Sequence, residues 1–447
     1  LVRRRTSPGC SGVAILAVAL AGSACSEVDE VSRDASAPVD AHVLRDATGL
    51  GAFCDLPGSV VWSDGAPGIV AGGPATPDMS WLQLPDGFCA HFYANVPETR
   101  LLRFAPNGDL FVASPSTGCA GGANGGLGAI VVLPDDDGDG LADRTVQYKT
   151  GLPSTQGLLF TGDYLYYQDG TKIMRTPYTA GDRAAPSTSE QMVDVQVYTS
   201  TTHWPKAIDA DDSGNVFVTN GGDEGDVCNT SESESQRPFH GGVLRIDGSP
   251  GGELIAKGLR NPISIRCARG TGTCFGLELA RDFAPNQGSR EKLFPVRKGD
   301  DWGFPCCATA GMAYTDISPT PSCSSVQPET GSFIIDHTPF DLDFESGGWP
   351  GLWQSRAFVA LHGFVGSWVG ARIVAIARDP KTKWPVMSSE ADPGTVFTDF
   401  ATGWDHNQEE LHGRPATLAF APDGRLFVGN DIDGNIFWIA PVGAGDK

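Results

Sequence analysis

The chain has 447 residues, 54 of them acidic against 32 basic, for a formal charge of −22 at neutral pH, with 57 glycines and 32 prolines. A field of that sign disfavours nucleic acid and anionic lipid as partners, because both carry the same charge. Short alternating apolar runs broken by Gly and Pro, with almost no helical periodicity, predict a large all-β domain.

In chain order, Arg3, Arg4 and Arg5 precede the apolar run GVAILAVALAG at 12–22. This pattern predicts a signal peptide over 1–24, the run being too short to serve as a membrane anchor. Gly22, Ser23 and Ala24 ahead of Cys25 resemble a bacterial lipobox, with Gly where Leu is favoured. Cys25 is therefore a candidate lipid anchor and the one membrane attachment expected; plain cleavage is the alternative. Either route exports the protein, to the periplasm or outer membrane or beyond. Residues 25–49, rich in Asp, Ala, Ser and Val without a sustained period, read as a solvated tether. The fold is expected within 50–447, with its core at 79–442.

From Met79, SWLQLPDGFCAHFYANV reads as an opening strand. A signature then recurs: apolar residues, a short acidic or Pro/Asn/Gly turn, and an apolar strand. It stands as LLRFAPNGDLFVAS at 101–114, IDADDSGNVFVTN at 208–220 and LAFAPDGRLFVGN at 418–430. Recurrence every ~45–60 residues in β sequence predicts propeller blades, each a small sheet that needs its neighbours to bury both faces. Six blades are expected, with inner parts at 100–133, 155–177, 206–246, 262–281, 355–378 and 416–440. The longest insertion, 283–350, is expected between the fourth and fifth. NIFWIAPV at 435–442 is expected to pair with the N-terminal strand and close the ring.

In the first blade, LPDDDGDGLAD places Asp135, Asp137, Asp139 and Asp143 at odd spacings around Gly138 and Gly140. That is the front half of a calcium loop, since oxygen ligands at this density suit a hard cation. Val146 at the twelfth position excludes a complete EF-hand; an Asp/Gly-rich hairpin turn is the alternative. Of eleven cysteines, nine remain once Cys10 and Cys25 are set aside with the leader. An exported context favours disulfides over metal sites for them, and no spacing matches zinc. Local candidates are Cys267 with Cys274, Cys54 with Cys89, and Cys306 or Cys307 with Cys323; an odd count leaves at least one thiol unpaired. Trp302, Trp349, Trp353 and Trp404, in Gly-rich stretches, are placed either to stack on a sugar ring or to fill gaps between blades.

Three segments carry a resemblance: His203 just ahead of its strand, KGLRNPISI at 257–265, and GRPATLAFAPDGRLFV at 413–428, supported by GLPSTQGLLF, GDDWGFP and LHGFVGSWVG. Together they resemble the soluble PQQ-dependent glucose and sorbosone dehydrogenases, six-bladed propeller quinoproteins, from about Leu84 to Ile439. The resemblance implies pyrroloquinoline quinone (PQQ) over the axial mouth with calcium, oxidation of a sugar, polyol or sugar aldehyde, and an envelope electron acceptor. His203 matches the general base, a role suited to an imidazole whose pKa lies near working pH. Asp223 falls where the family has an acid that orients this histidine. Arg260 and Asn261 match the cofactor-contacting pair, and a fixed guanidinium suits a quinone oxygen or a carboxylate. Arg414 matches the first of two carboxylate-binding arginines, and Ala416 occupies the second one's place. His362 falls near the family's basic residue in the fifth blade. Ala284 and Pro285 are the nearest match to the backbone carbonyls that bind calcium. The alternative from another class is a catalytically silent propeller using the same mouth to bind a ligand or protein.

Overall fold

The structure is a computed structural model that describes residues 53–115, 127–195, 203, 206–222, 228, 241–281, 288–364, 369–387, 389–390, 397–404 and 412–443. The repeat explains its smallest unit. In all three copies the innermost strand of a blade turns back on itself through the same pair of backbone bonds. Ala105, Asp211 and Ala421 each donate N–H to the carbonyl four residues on, and accept from the glycine between. Gly108, Gly214 and Gly424 sit at φ of 92°, 79° and 92°, where a side chain would be strained.

Among the described residues, six sheets, antiparallel but for the parallel pairing of Asp300–Asp301, form a six-bladed β-propeller, and a small two-stranded sheet lies beside them. The innermost strands are Leu101–Phe104, Leu158–Thr161, Ile208–Ala210, Asn261–Ala268, Pro339–Phe344 and Pro415–Phe420. The apolar clusters lie between blades rather than within them. Phe111 of the first blade meets Phe160 of the second at 4.8 Å, Phe275 of the fourth meets Phe344 of the fifth at 6.1 Å, and Trp349 meets Phe420 across the next interface at 5.3 Å. A sheet of this kind buries both faces only when the ring is complete. Trp302, Trp349 and Trp404 are at most 1% exposed and Trp353 is 9% exposed, so all four fill such gaps.

The ring closes as the sequence predicts: Asn435–Pro441 pairs antiparallel with Phe88–Asn95. Two expectations need correction. Ordered structure starts ahead of Met79, because Val60–Ser63 and Ala66–Ile69 extend the sixth sheet to six strands. The stretch 283–350 is not a free insertion: Glu291–Pro295 and Gly331–Phe333 complete the fourth blade, Asp300–Asp301 adds to the third, and the fifth begins at Pro339 rather than near 355. These strands are short and separated by Pro/Gly-rich segments, which hides their period. The disulfides Cys54–Cys89, Cys267–Cys274 and Cys307–Cys323 form as expected, with Cys307 the one of the two neighbours that takes Cys323, and Cys306 pairs with Cys228, 78 residues away, a bridge the sequence did not suggest. Cys119, the ninth cysteine, lies outside the described residues, as do the leader, Cys25 and the tether.

Adjacent inner strands run in the same direction around the axis. Asp341 accepts the Leu418 N–H and Asp343 accepts the Phe420 N–H, two steps matched by two steps. Asp341 also accepts from the Ser264 hydroxyl, the Arg266 guanidinium and the Thr417 hydroxyl, tying three blades with one carboxylate. Because the inner strands are parallel, the residues that open them share one rim. In each blade the antiparallel second strand ends on that same rim.

Candidate active site

The residues opening four of the six inner strands are cationic: Arg100 before Leu101, Lys206 two residues ahead of Ile208, Arg260 before Asn261 and Arg414 before Pro415. A collar of positive charge on a chain of net charge −22 is an electrostatic signal for an anionic occupant.

On one side of this rim lies His203, which is 4% exposed. Its Nδ1 is 2.9 Å from the carbonyl of Gly222. A carbonyl only accepts, so Nδ1 carries the proton and, in the neutral ring, Nε2 carries the lone pair. Gly222 in turn donates its N–H to the carbonyl of Arg260 at 2.5 Å. Glycine is required here and next door: a Cβ on Gly221 would meet the His203 Cβ at 2.4 Å, and one on Gly222 would meet Phe304 at 3.0 Å. Arg260 is fixed at both ends, its N–H donating to Glu278 at 2.7 Å and its Nη1 to the Ala280 carbonyl at 2.7 Å. Glu278 is held by Lys292 at 2.6 Å in a fully buried pair; burial opposes the charge on Lys292, and Glu278 outweighs it, raising the pKa. The Oδ1 of Asn261 is buried without a hydrogen-bond partner among the described residues.

Lys206 is completely buried, and burial pushes its amine down to about 7; Nζ lies 3.5 Å from the His203 carbonyl. Its backbone N–H and that of Gln156 both donate to Gln168 Oε1 at 3.1 Å, which pins the second and third blades together at the rim.

On the other side, Asp431 gathers three donors on one oxygen: His362 Nε2 at 2.7 Å, Arg100 Nη2 at 3.3 Å and Arg414 Nη2 at 3.5 Å. Burial alone would raise the carboxyl pKa, but these neighbours hold it well below the usual carboxylate range. Burial takes His362 the other way, down to about 4, and the two arginines reinforce that shift. His362 is thus neutral at pH 7, with Nε2–H donating to Asp431 and its ring stacked on Phe340 at 3.9 Å. It positions an acid rather than supplying a charge. Ala416 is 1% exposed on the inner strand.

Of the residues singled out in the sequence, His203, Arg260 and Asn261 therefore form one group, and Arg414 and His362 a second on the same rim. Asp223, Ala284 and Pro285 lie outside the described residues. Asp135, Asp137 and Asp139 do converge, each offering an oxygen within 4.8 Å of the others. Asp143 does not join them; its Oδ2 accepts the Asp136 N–H instead, closing the turn from the other side. This loop follows the third strand of its blade, which ends on the rim opposite the collar. Arg100, Lys206 and Asp431 were missed in the sequence. Their signal was positional: Arg100 precedes the first repeat copy, as Arg414 stands ahead of the last.

Residues 76–282 match the family described as domain of unknown function DUF7133. No curated protein sequence matches the chain. Among solved structures, the calcium structure of the Trichoderma reesei carbohydrate-active enzyme of family AA12 aligns at 17% identity and TM-score 0.64, covering 80% of this chain and 96% of that one. The holo PQQ domain of pyranose dehydrogenase from Coprinopsis cinerea aligns at 16% identity and TM-score 0.63, covering 80% and 97%. The chain has the fold of the soluble quinoprotein sugar dehydrogenases. The PQQ-bound aldose sugar dehydrogenase of Streptomyces coelicolor shares that fold at 15% identity and TM-score 0.50, covering 80% and 99%.

In the quinoprotein fold the rim residues meet a direct test of fit. A quinone with carboxylate substituents needs cations and hydrogen-bonding groups with spare capacity. The collar supplies Arg100, Arg260 and Arg414, and Asn261 supplies a buried acceptor still unpaired among the described residues. The set fits.

Proposed function

We propose that the chain is an exported PQQ-dependent oxidoreductase acting on a CH–OH group of a sugar, polyol or sugar aldehyde, with electrons leaving to an envelope acceptor. The observation that carries this reading is the fixed tautomer of His203, hydrogen-bonded through one glycine to the turn that bears Arg260 and Asn261. When bound, the quinone supplies a two-electron hydride acceptor. Arg260, Asn261 and Arg414 would hold it. His203 takes the substrate hydroxyl proton on Nε2, and Gly222 keeps the ring from turning as it becomes cationic. His362 and Asp431 keep Arg414 aimed at the mouth.

Two further assignments belong to the same reading. Asp135, Asp137 and Asp139 hold a structural calcium on the far rim, where it stiffens a turn and takes no part in the chemistry. The four disulfides among the described residues support an oxidising compartment, consistent with export and with a lipid anchor at Cys25.

The test is reconstitution. Purified protein given calcium and PQQ is expected to reduce a redox dye with at least one aldose or alditol, and His203→Ala to abolish this. A broad screen with neither turnover nor retained quinone would instead support the silent binding module.

A further inference from the structure

We propose that the Cys228–Cys306 disulfide is a redox-sensitive brace on the mouth that positions His203 through Phe304; this adds a regulation to the proposed active site and, for its effect on turnover, rests on that reading. The brace acts through one turn, residues 302–307, which leans on both arms of the His203–Arg260 pair. On the Arg260 arm, the N–H groups of Trp302 and Phe304 donate to the carbonyls of Lys257 and Gly258 at 2.9 and 2.8 Å. This close approach needs glycine, since a Cβ on Gly258 would meet the Gly303 nitrogen at 2.6 Å. On the His203 arm, the Phe304 ring lies over Gly222, whose carbonyl fixes the histidine Nδ1. Cys306 belongs to the same turn, and its bridge runs to Cys228, six residues beyond Gly222. Within the turn, the Cys306 and Cys307 N–H groups both donate to the Gly303 carbonyl, at 3.0 and 2.8 Å, so a displaced Cys306 carries Phe304 with it.

Access sets this bridge apart from the other three among the described residues. Cys228 and Cys306 are both half-buried, whereas Cys54, Cys89, Cys267, Cys274, Cys307 and Cys323 are all buried. Exchange requires an attacking thiolate to reach a sulfur, so a dithiol reductant opens Cys228–Cys306 first. One thiolate of the reductant bonds to one sulfur and releases the other cysteine as a thiol; the second then displaces the mixed disulfide. The reductant leaves as its own disulfide, and two electrons and two protons stay behind on two cysteine thiols. What is lost is a covalent closure across 78 residues. The turn keeps its hydrogen bonds to Lys257 and Gly258 but loses its tie to the segment after Gly222. Phe304 is then no longer held against Gly222, the peptide carbonyl is free to turn, and the imidazole loses the acceptor that selects its tautomer. Oxidising conditions keep the base set; a dithiol releases it.

The experiment treats the full purified chain with dithiothreitol, alkylates the thiols released and removes the reagents. Mass spectrometry should find Cys228 and Cys306 alkylated ahead of the six buried half-cystines. Nitrogen NMR of isotope-labelled histidine, with His203→Gln for assignment, should show His203 passing from one fixed tautomer to an average of two. Dye reduction with PQQ and calcium should fall about tenfold while unfolding stays cooperative. The double variant Cys228→Ser, Cys306→Ser should reproduce both changes without any reagent; if it does not fold, the alkylated wild type carries the same comparison. Unchanged His203 signals and an unchanged rate once the bridge is open would overturn the brace, and so would opening of the buried bridges first. A tautomer change in a chain that turns over no sugar in either state would uphold the brace and refute the quinone reading.

Discussion

His203 and Arg260 lie 57 positions apart in sequence and are joined through a single glycine, whose carbonyl fixes the histidine Nδ1 and whose N–H fixes the arginine carbonyl. The proposed proton acceptor and the proposed cofactor-holding arginine are therefore aligned by the backbone of Gly222. Added bulk should disturb their alignment more than it disturbs the fold.

Gly222→Ala places a Cβ 3.0 Å from Phe304 and 3.1 Å from the Leu259 carbonyl. Overpacking of this size costs about 1–3 kcal/mol. We expect urea denaturation to register that modest loss, while dye-reduction kcat in the reconstituted enzyme falls at least ~10-fold. A kcat unchanged beside a measurable stability loss would show that the glycine link is structural only.

Lys206 predicts a pH dependence. Its ordinary value of 10.5 falls to about 7 because the amine is fully buried. The unfolded chain takes up this proton as pH drops below 10.5, whereas the folded chain does so only near 7. The resulting penalty on the fold grows across that window and is complete below 7. Lys206→Met should therefore raise stability at pH 7 by on the order of 3 kcal/mol, with the gain shrinking toward pH 10. Thermal midpoints of both proteins across that range check it; a gain independent of pH would show that the amine is not the cause.

Much of this architecture was legible in the sequence, and the reason is the turn. A propeller hairpin of this type requires glycine in the left-handed region and an acid, Asn or Pro within the turn, so Pro106–Asn107–Gly108, Asp212–Ser213–Gly214 and Pro422–Asp423–Gly424 announce three blades directly. The fourth blade's outer strands were not legible, because Gly331–Phe333 is three residues long and begins 36 residues beyond Pro295. The rim was read in part. His203, Arg260 and Arg414 sit in recognisable strings, whereas Arg100 and Asp431 acquire meaning only when the first and sixth blades meet across the closed ring. Cys306 shows the same limit: its local partner and its distant one are equal in sequence, and the fold decides between them.

Asp341 joins three blades and is the partner of a buried arginine, Arg266, at 2.8 Å. Removing one member of such a pair strands the other, at a cost of about 3–5 kcal/mol. Asp341→Ala should lower stability by that amount in chemical denaturation, and adding Arg266→Met should restore part of it. A double variant no better than the single one would place the cost in the Ser264 and Thr417 bonds instead.

Calcium held by Asp135, Asp137 and Asp139 should act on the stability of the far rim. With a site of the affinity common in extracellular proteins, 10 mM calcium should stabilise the chain by about 1–3 kcal/mol over a chelated sample, seen as a rise in thermal midpoint. Asp137→Asn should remove that rise without changing PQQ affinity. An identical calcium response in the variant would place the ion elsewhere.

The most direct test of the account asks whether His203 performs the proton step at a mouth that holds the quinone. Single-turnover oxidation of substrate by the PQQ-loaded protein, measured beside PQQ affinity in His203→Gln, separates chemistry from binding. We predict that affinity stays within about twofold of the wild type while the rate falls by about 10²- to 10⁴-fold, the usual contribution of a general base. A variant that turns over at the wild-type rate would contradict the assignment of the base, and a wild-type chain that retains no quinone would contradict the whole.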